Sequence, residues 1–402
     1  MRLNLIVNSF PTVSETFIFN KVTGLEAMGY KVLICSLNEV HDLDYYEKRL
    51  NEWSGNKVYY YQKKWSFLSA LLFNSQLRTR NQDLKKKGRP LKSRLGLLRK
   101  WHFIHSSKPE IIHFAFSGIA AEFHEVIEMS SSAQIFFSCR GSAEKIRPLI
   151  DEERGAKLSA AFKSADRIHC VSEDMRQTIL KFGGIMEKTF INHPSINTQR
   201  FTFHKRSHCY LKFKEQPFKI LSTGRLHFQK GYVHALMAIK IASDKGLNVE
   251  YNICGAGPEE GLLKYMIQEL SLGDYVKIHG KVSGGTVKSM LAEADMFLLP
   301  SIYEGIANAA LEAVASGVPL LTTTAGGMNE VIENKQNGII VDRFSAEQLA
   351  DGIQFYHDFP DKAVEFAAKA LDTLKDDFLH EQQIKVFDEE YRKANGHWQH
   401  SV

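Results

Sequence analysis

Short runs of aliphatic and β-branched residues alternate with longer helical patterns along most of the chain. Parallel strands must be joined by crossover connections, usually helices, so this alternation predicts βαβ units with helices on both faces of a sheet. The runs form two sets, at 3–8, 31–37, 111–114, 135–138 and 167–171, and at 218–222, 249–254, 276–279, 296–299, 319–322 and 338–341. We therefore predict an α/β fold with two Rossmann-like, doubly wound domains.

The segment 192–217 separates the two sets. It is polar and basic with little regular pattern, which is typical of a linker between domains. We predict a first domain over 1–200 and a second over 215–375, and 402 residues suffice for two packed cores. The pattern after 344 is helical and charged, and we expect a helix at about 376–396 to pack back on the first domain.

Cysteine usage and hydropathy bear on the compartment. The five cysteines are far apart and form no CxxC pair, which favours a reducing compartment without structural zinc. The apolar run at the N-terminus is too short for a signal peptide, and no segment approaches the roughly 18 to 20 apolar residues of a membrane span. We expect a cytoplasmic protein. Asp42 and Asp44 resemble a metal-binding DxD pair, but we interpret them as a solvated turn.

Residues 63–100 are strongly basic. They contain twelve Lys or Arg and one acid, a net charge of +11 in a chain whose total is +5. Apolar residues are interleaved with these charges at the spacing of two amphipathic helices. One interpretation is a surface that contacts an anionic membrane, and the other is a pair of solvated helices whose apolar sides pack on the domain. Nucleic acid is not a predicted partner, because no recognised nucleic-acid module accompanies the patch.

The segment 300–313, PSIYEGIANAALEA, places a glycine-containing loop between a buried strand and a helix. Backbone N–H groups at the start of a helix favour an anion or an array of sugar hydroxyls. Glu304 lies on the loop and Glu312 eight residues later, so their carboxylates can accept hydrogen bonds from two ends of an elongated ligand. The alternative is a solvated loop acid and an ordinary acid on a helix surface.

Three more glycine loops follow predicted strands of the second set. In the first loop, Gly224 permits close backbone approach, while Arg225 and Lys230 carry charges suited to a diphosphate. The second, at Gly255, lacks the third glycine of a dinucleotide fingerprint, and the third contains Gly326. Ligands of open α/β sheets gather at such strand ends.

In this order, the loops between 220 and 332 closely resemble the second domain of the retaining glycosyltransferases of family 4. These enzymes have the GT-B fold, in which two Rossmann-like domains face a central cleft. The segment 9–18, SFPTVSETFI, resembles the first-strand loop of transferases that build bacterial exopolysaccharide, capsule or the O-antigen of lipopolysaccharide. One departure is Arg140, which stands where relatives often have a histidine before glycine.

The resemblance implies roles for individual residues. The catalytic group it implies is Arg225, Lys230 and Glu304. The implied donor-binding residues are Gly224, Gly255, Gly280, Lys281, Gly305, Ile306, Asn308 and Glu312. On the acceptor side of the cleft it implies Ser14, Glu15, His113 and Arg140.

The implied activity is retaining transfer of a hexosyl unit from a UDP- or GDP-sugar to a glycan or polyprenyl-linked glycan. The resemblance implies no metal or other cofactor. Peripheral contact of this cytoplasmic enzyme with the inner face of the membrane is the first of the two interpretations of the basic segment 63–100. The alternative is a catalytically weak homologue that acts as a nucleotide-binding partner subunit. An oxidoreductase is disfavoured, because the loop after the first strand lacks a dinucleotide fingerprint.

Overall fold

The computed structural model describes residues 1–10, 16–39, 58–61, 64–130, 133–196 and 216–396. The chain divides into two compact units, Met1–Asn192 with Ile384–Val402, and His193–Gln383. The division falls at the start of the expected linker, most of which lies outside the described residues.

The first unit contains a seven-stranded parallel sheet in the order β3-β2-β1-β4-β5-β6-β7. Its strands are β1 (Arg2–Ser9), β2 (Lys31–Asn38), β3 (Val58–Tyr60), β4 (Ile111–Phe114), β5 (Gln134–Cys139), β6 (Arg167–Cys170) and β7 (Thr189–Ile191). The five predicted strands are confirmed. The sequence did not predict β3 and β7, because each has three residues and lies at an edge of the sheet, where no sustained apolar pattern is needed.

Helices cover both faces of the first sheet, as the βαβ pattern predicts. They span Thr16–Ala27, Lys64–Phe73, Ser75–Lys86, Leu91–Ile104, Ser117–Glu122, His124–Glu128, Ser142–Lys145, Arg147–Ile150, Glu152–Ser164 and Glu173–Leu180, with a short 3₁₀ turn at Met186–Lys188. The first helix is followed by Gly29, whose φ of 86° lies in the left-handed region that favours glycine.

The second unit contains a six-stranded parallel sheet in the order β10-β9-β8-β11-β12-β13. Its strands are β8 (Phe218–Thr223), β9 (Val249–Cys254), β10 (Val276–Gly280), β11 (Met296–Leu299), β12 (Leu320–Thr323) and β13 (Ile339–Val341). Its sheet is accompanied by the helices Tyr232–Asp244, Glu260–Glu269, Gly284–Glu293, Asn308–Ala315, Ala346–Asp358 and Pro360–Asp377. All six predicted strands are confirmed, and so is the α/β fold with two doubly wound sheets.

The last helix, His380–Ala394, belongs to both units of the chain. From Ile384 onward its residues are part of the first unit. Ile384, Phe387 and Tyr391 are buried in the same apolar cluster as residues of β1 and β2. The Tyr30 hydroxyl donates a hydrogen bond to Oδ1 of Asp388 at 2.7 Å. This part of the helix therefore completes one face of the first sheet.

The strand order reverses direction once in each sheet. In the first unit the reversal lies between β1 and β4, and in the second between β8 and β11. Ligands of open α/β sheets bind outside the carboxyl ends of the strands at such a point. The two reversals therefore mark the places where each unit is built to hold a ligand.

The basic segment forms three helices, and the apolar sides of the last two, Ser75–Lys86 and Leu91–Ile104, pack inward. Leu77, Leu84, Leu98 and Trp101 are buried in the core of the first unit, which confirms the packing interpretation for these side chains. The turn between the helices, 85–92, is exposed throughout and carries four lysines and an arginine. Leu91, in the same turn, is 59% exposed. Among the described residues, no helix is long and apolar enough to cross a membrane.

Candidate active site

Four loops of the second unit leave the carboxyl ends of neighbouring parallel strands. They follow β8, β9, β11 and β12, so the strand order brings them to one edge of the sheet around the reversal point. Backbone hydrogen bonds tie the outer loops to this edge, since Gly224 N donates to Cys254 O at 3.0 Å and Gly255 N to Gly280 O at 2.8 Å. The glycine loops that the sequence identified separately therefore form one site.

An ion pair between Lys230 and Glu304 lies at the centre of this edge. Lys230 Nζ is 2.6 Å from Glu304 Oε1, and the side chains are only 15% and 10% exposed. The buried Ser301 hydroxyl donates to the same carboxylate oxygen at 2.7 Å. Lys230 follows β8 and Glu304 follows β11, so the adjacency of these two strands creates the pair. Two residues that the resemblance names as catalytic thus contact each other directly.

The loop that carries Glu304 is held in place by Gln229, which the sequence did not single out. Ile302 N donates to the backbone oxygen of Gln229 at 2.7 Å, and the Tyr303 hydroxyl donates to its side-chain oxygen at 3.0 Å. Thr323, at the end of β12, donates its hydroxyl to Ser301 O at 2.5 Å. These bonds fix the carboxylate relative to Lys230, whereas sequence spacing gives no signal for them.

Two glycines permit backbone contacts that any side chain would block. A Cβ at Gly231 would lie 1.9 Å from Pro300 O, and one at Gly326 would lie 2.0 Å from Glu304 O. Both residues have positive φ, 67° and 66°, a region that favours glycine. Gly327 N also donates to Gly305 O at 2.7 Å. The Glu304 loop is therefore clamped between backbones that only glycine allows.

Arg225 and the start of the helix Asn308–Ala315 present groups for an anion. Arg225 is exposed, and within the described ranges its guanidinium has no hydrogen-bond or ion-pair partner. The helix begins after Ala307, whose side chain cannot cap its first N–H groups. These groups, next to Gly305, the buried Ile306 and the half-buried Asn308, can therefore bind a phosphate or hydroxyls.

Glu312 lies one turn further along the same helix and is half-buried. Burial raises the pKa of its carboxyl to about 7, and the positive charge of the exposed Lys288 opposes that shift. The group therefore changes charge near neutral pH and, when ionised, accepts hydrogen bonds from hydroxyls. The two remaining donor-side residues, Gly280 and the exposed Lys281, lie at and just beyond the end of β10.

His113, which the resemblance places on the acceptor side, is buried within the first unit. Its Nδ1 is 2.6 Å from the Tyr391 hydroxyl, its Nε2 is 2.8 Å from the Ser138 hydroxyl, and Lys21 Nζ lies 3.2 Å from the ring. Burial lowers the pKa of His113 well below its usual value, and the charge of Lys21 acts in the same direction. The ring therefore belongs to an internal polar network under the last helix and is closed to solvent.

Arg140 follows β5 and is half-buried, with its guanidinium 3.8 Å above the ring of Phe17. Its loop is held by Glu144, whose buried carboxyl accepts hydrogen bonds from the Ser117 hydroxyl and, at 3.0 Å, from Gly141 N. Burial raises the pKa of this carboxyl. Sequence reasoning missed Glu144, whose only signal is an acid at the start of a short helix. Ser14 and Glu15 lie outside the described residues.

Within the described part of the chain, no three His, Cys, Asp or Glu side chains are grouped so that they could hold a metal ion. Four cysteines there are buried free thiols, namely Cys35, Cys139, Cys170 and Cys254. Cys209, Asp42 and Asp44 lie outside the described residues.

Comparison with known sequences points to one class of enzyme. Residues 205–373 match the model of the family described as "Glycosyl transferases group 1". The chain is 26% identical to the "Putative colanic acid biosynthesis glycosyltransferase WcaL" of Escherichia coli (strain K12), a match that covers 94% of this chain and 96% of that protein. It is 27% identical to the amylovoran biosynthesis glycosyltransferase AmsK of Erwinia amylovora, with 87% and 89% covered.

Solved structures share the fold over almost the full length. Alr3699/HepE of Anabaena, crystallised with UDP and glucose, gives a TM-score of 0.73 at 15% identity and covers 98% of this chain and 100% of that one. Sucrose-phosphate synthase of Thermosynechococcus elongatus gives 0.72 at 15% identity, with 98% of each chain covered. The architecture is thus the GT-B type, with two Rossmann-like domains.

Proposed function

Since this chain is a glycosyltransferase of the GT-B type whose second unit matches the group 1 family, we propose that it transfers a hexosyl unit from a UDP- or GDP-sugar to a glycan or polyprenyl-linked glycan, with retention of the anomeric configuration. The product would be part of a bacterial surface polysaccharide. The single observation that carries the proposal is the Lys230–Glu304 pair at the strand reversal of the second sheet, with Arg225 on the same loop as Lys230.

The relatives support the pathway part of this proposal. Two proteins that align with nearly the whole chain are named for colanic acid and amylovoran biosynthesis. These matches include the first unit, which lies outside the matched range 205–373. We propose that this chain likewise builds an exopolysaccharide.

The geometry of the second unit supports a nucleoside-diphosphate sugar as donor. The exposed Arg225 and the uncapped helix start can bind two phosphates, and the half-buried Glu312 can accept hydrogen bonds from ribose hydroxyls. HepE structures contain UDP, or UDP with glucose, which favours a uridine nucleotide here as well. We assign the remaining donor contacts to the loops at Gly224, Gly255, Gly280 and Gly305.

Catalysis in this proposal is electrostatic. Negative charge develops on the diphosphate as its bond to the sugar breaks, and fixed cations lower the energy of that state. Lys230 is positioned for this task because Glu304 and the Gln229 loop hold it in place. Glu304 would in turn orient the donor sugar, and Arg225 would bind the outer phosphate. The positive charge comes from side chains and the helix start, so the proposal includes no divalent ion.

The first unit would supply the acceptor contacts. Arg140 lies at the carboxyl end of β5, and Ser14 and Glu15 follow the end of β1 in sequence. We propose these three as acceptor-side residues. His113 is buried, so in this proposal it supports the last helix and makes no contact with substrate.

We further propose that the exposed turn 85–92 binds the anionic inner face of the cytoplasmic membrane. Its lysines, arginine and Leu91 are exposed together, so both charge and one apolar side chain are available to lipid. Triple charge reversal at Lys85, Lys86 and Lys87 should abolish co-sedimentation with anionic vesicles. Reversal of three exposed lysines of the second unit, Lys264, Lys362 and Lys369, is the matched control. Equal binding of both variants would contradict the proposal.

The activity is tested by incubating the full chain with UDP- or GDP-hexoses and a polyprenyl-linked glycan acceptor, and by following the anomeric proton of the transferred sugar by NMR. We expect release of nucleoside diphosphate and a first product with the donor's configuration. Lys230→Ala and Glu304→Ala should lower the rate at least a hundredfold. Nucleotide binding without turnover of any sugar would instead favour the alternative, a nucleotide-binding partner subunit.

A further inference from the structure

A cavity of about 410 Å³ lies in the first unit, outside the residues discussed as catalytic or donor-binding. Its walls include Asn8 at the end of β1, Leu37 at the end of β2, and Phe116 just after β4. The cavity therefore opens at the carboxyl ends of the strands next to the reversal between β1 and β4. This is the position in the first sheet that corresponds to the donor site in the second.

The walls combine apolar side chains with hydrogen-bonding groups. Leu37, Phe116 and Ile119 supply the apolar part. The Phe116 ring packs edge-on against Phe17, with their centroids 6.0 Å apart, which limits its orientation. The polar part consists of Asn8, Glu122 and Arg154. A sugar ring has the matching surface, because its C–H faces are apolar and its hydroxyls both donate and accept hydrogen bonds.

The charges in the cavity cancel. Arg154 Nη1 lies 3.2 Å from Glu122 Oε1, and its Nη2 lies 3.4 Å from Gly118 O. A paired guanidinium offers little net charge to a phosphate or carboxylate, whereas both partners keep capacity for hydroxyls. An isoprenoid chain would displace water from Asn8, Glu122 and Arg154 and offer them no hydrogen bond in return. The wall chemistry thus favours an uncharged sugar over an anion or a lipid.

We propose that this cavity binds one neutral hexose residue of the acceptor glycan. The inference rests on the proposed glycosyltransferase reaction for its biological role, although sugar binding can be measured without the donor. Asn8 and Glu122 hydrogen-bond the hydroxyls, Arg154 positions the Glu122 carboxylate, and the Phe116 ring contacts the apolar face of the sugar.

Saturation-transfer NMR on the full chain without nucleotide tests this subsite. The probes are the methyl glycosides of glucose, galactose and mannose, the methyl glycoside of glucuronic acid, and farnesyl phosphate. The variants are Asn8→Ala and Glu122→Gln. The matched control is Glu125→Gln. Glu125 lies in the neighbouring helix His124–Glu128, is paired with Arg89 at 2.8 Å, and does not line the cavity.

We expect at least one neutral hexoside to bind, and Asn8→Ala and Glu122→Gln to weaken its binding about tenfold, the loss of a hydrogen bond to a charged or amide group. Glu122→Gln leaves Arg154 without its carboxylate, so binding of the glucuronoside should improve in that variant alone. Glu125→Gln should behave as wild type. If Glu122 only supported the structure, Glu122→Gln would not shift binding from the neutral hexosides toward the glucuronoside.

Three results would overturn the subsite: no hexoside binds, the control variant loses binding equally, or farnesyl phosphate or the glucuronoside binds the wild type more tightly than every neutral hexoside. Failure of the proposed function has a different signature, since wild type would then bind a hexoside at the cavity but turn over no nucleotide sugar.

Discussion

The Lys230–Glu304 pair should contribute about 2 to 3 kcal/mol of coupling to the stability of the second unit. Exposed ion pairs contribute roughly 0 to 1 kcal/mol, whereas removing one partner of a buried pair costs about 3 to 5 kcal/mol. Side chains that are 15% and 10% exposed, with atoms 2.6 Å apart, lie nearer the buried case. The Ser301 hydroxyl on the same oxygen strengthens the geometry but does not neutralise the charge.

A double-mutant cycle measures this coupling with Lys230→Met, Glu304→Gln and the double variant. All four tryptophans, Trp53, Trp65, Trp101 and Trp398, lie outside 193–383, so tryptophan fluorescence does not report on the second unit. Hydrogen exchange followed by mass spectrometry should be used, with opening free energies from peptides that contain β8 and β11. These strands carry the two loops that the pair joins.

The Glu260–Lys264 pair is the matched control in the same unit. Its atoms are 2.7 Å apart, but its side chains are 62% exposed for the lysine and 36% for the glutamate. We expect its coupling to be about 0.3 to 0.5 kcal/mol. Equal coupling for the two pairs would refute the reasoning, because burial would then not govern the interaction. So would coupling near zero for Lys230 and Glu304.

Three further predictions concern backbone and charge. Gly326→Ala should lower the melting temperature far more than the control Gly246→Ala, because a Cβ at residue 326 would lie 2.0 Å from Glu304 O. Gly246 also has a positive φ, 87°, but a Cβ there would meet no atom within 4 Å. The control should therefore lower the free energy of unfolding by only about 1 to 2 kcal/mol. If Glu312 binds the ribose hydroxyls as proposed, its ionised form accepts more hydrogen bonds than its protonated form, so calorimetry should show UDP affinity falling below pH 7 more in wild type than in Glu312→Gln. For folding, the same raised pKa makes stability fall as pH rises from 4.5 to about 7. Burial lowers the pKa of Lys21, so the unfolded chain binds an additional proton and the free energy of unfolding rises with pH up to the usual lysine range. In urea unfolding, Lys21→Met should flatten this pH dependence and raise stability at pH 7. A loss of stability at pH 7 would contradict the prediction.

The sequence predicted the parts of the fold that repeat a pattern. Central strands such as β4 and β11 are buried at every position, so β11 is an unbroken apolar run and β4 is apolar except for His113. The edge strands β3 and β7 have no such requirement and gave no pattern. The spacing of apolar residues in 63–100 predicted amphipathic helices, but it left open whether their apolar sides pack on the domain or contact a membrane. The structure buries Leu77, Leu84, Leu98 and Trp101.

The site was predictable as a set of residues but not as a geometry. Glycines and charges at strand ends identified the loops, because parallel strands bring their carboxyl ends to one edge. That Lys230 and Glu304 form a pair depends on the adjacency of β8 and β11, which no local spacing encodes. Similarly, His113 lies at a strand end in sequence, and only the packing of Tyr391, far along the chain, buries it.

Calorimetric titration of the full chain with UDP and GDP tests the central claim most directly. We expect one of the two nucleotides to bind wild type, and Arg225→Ala and Lys230→Ala each to weaken that binding about 10- to 100-fold, since each loses a charge-assisted hydrogen bond to phosphate. Undiminished binding by both variants, or no binding of either nucleotide to wild type, would contradict the assignment of the second unit as the donor site.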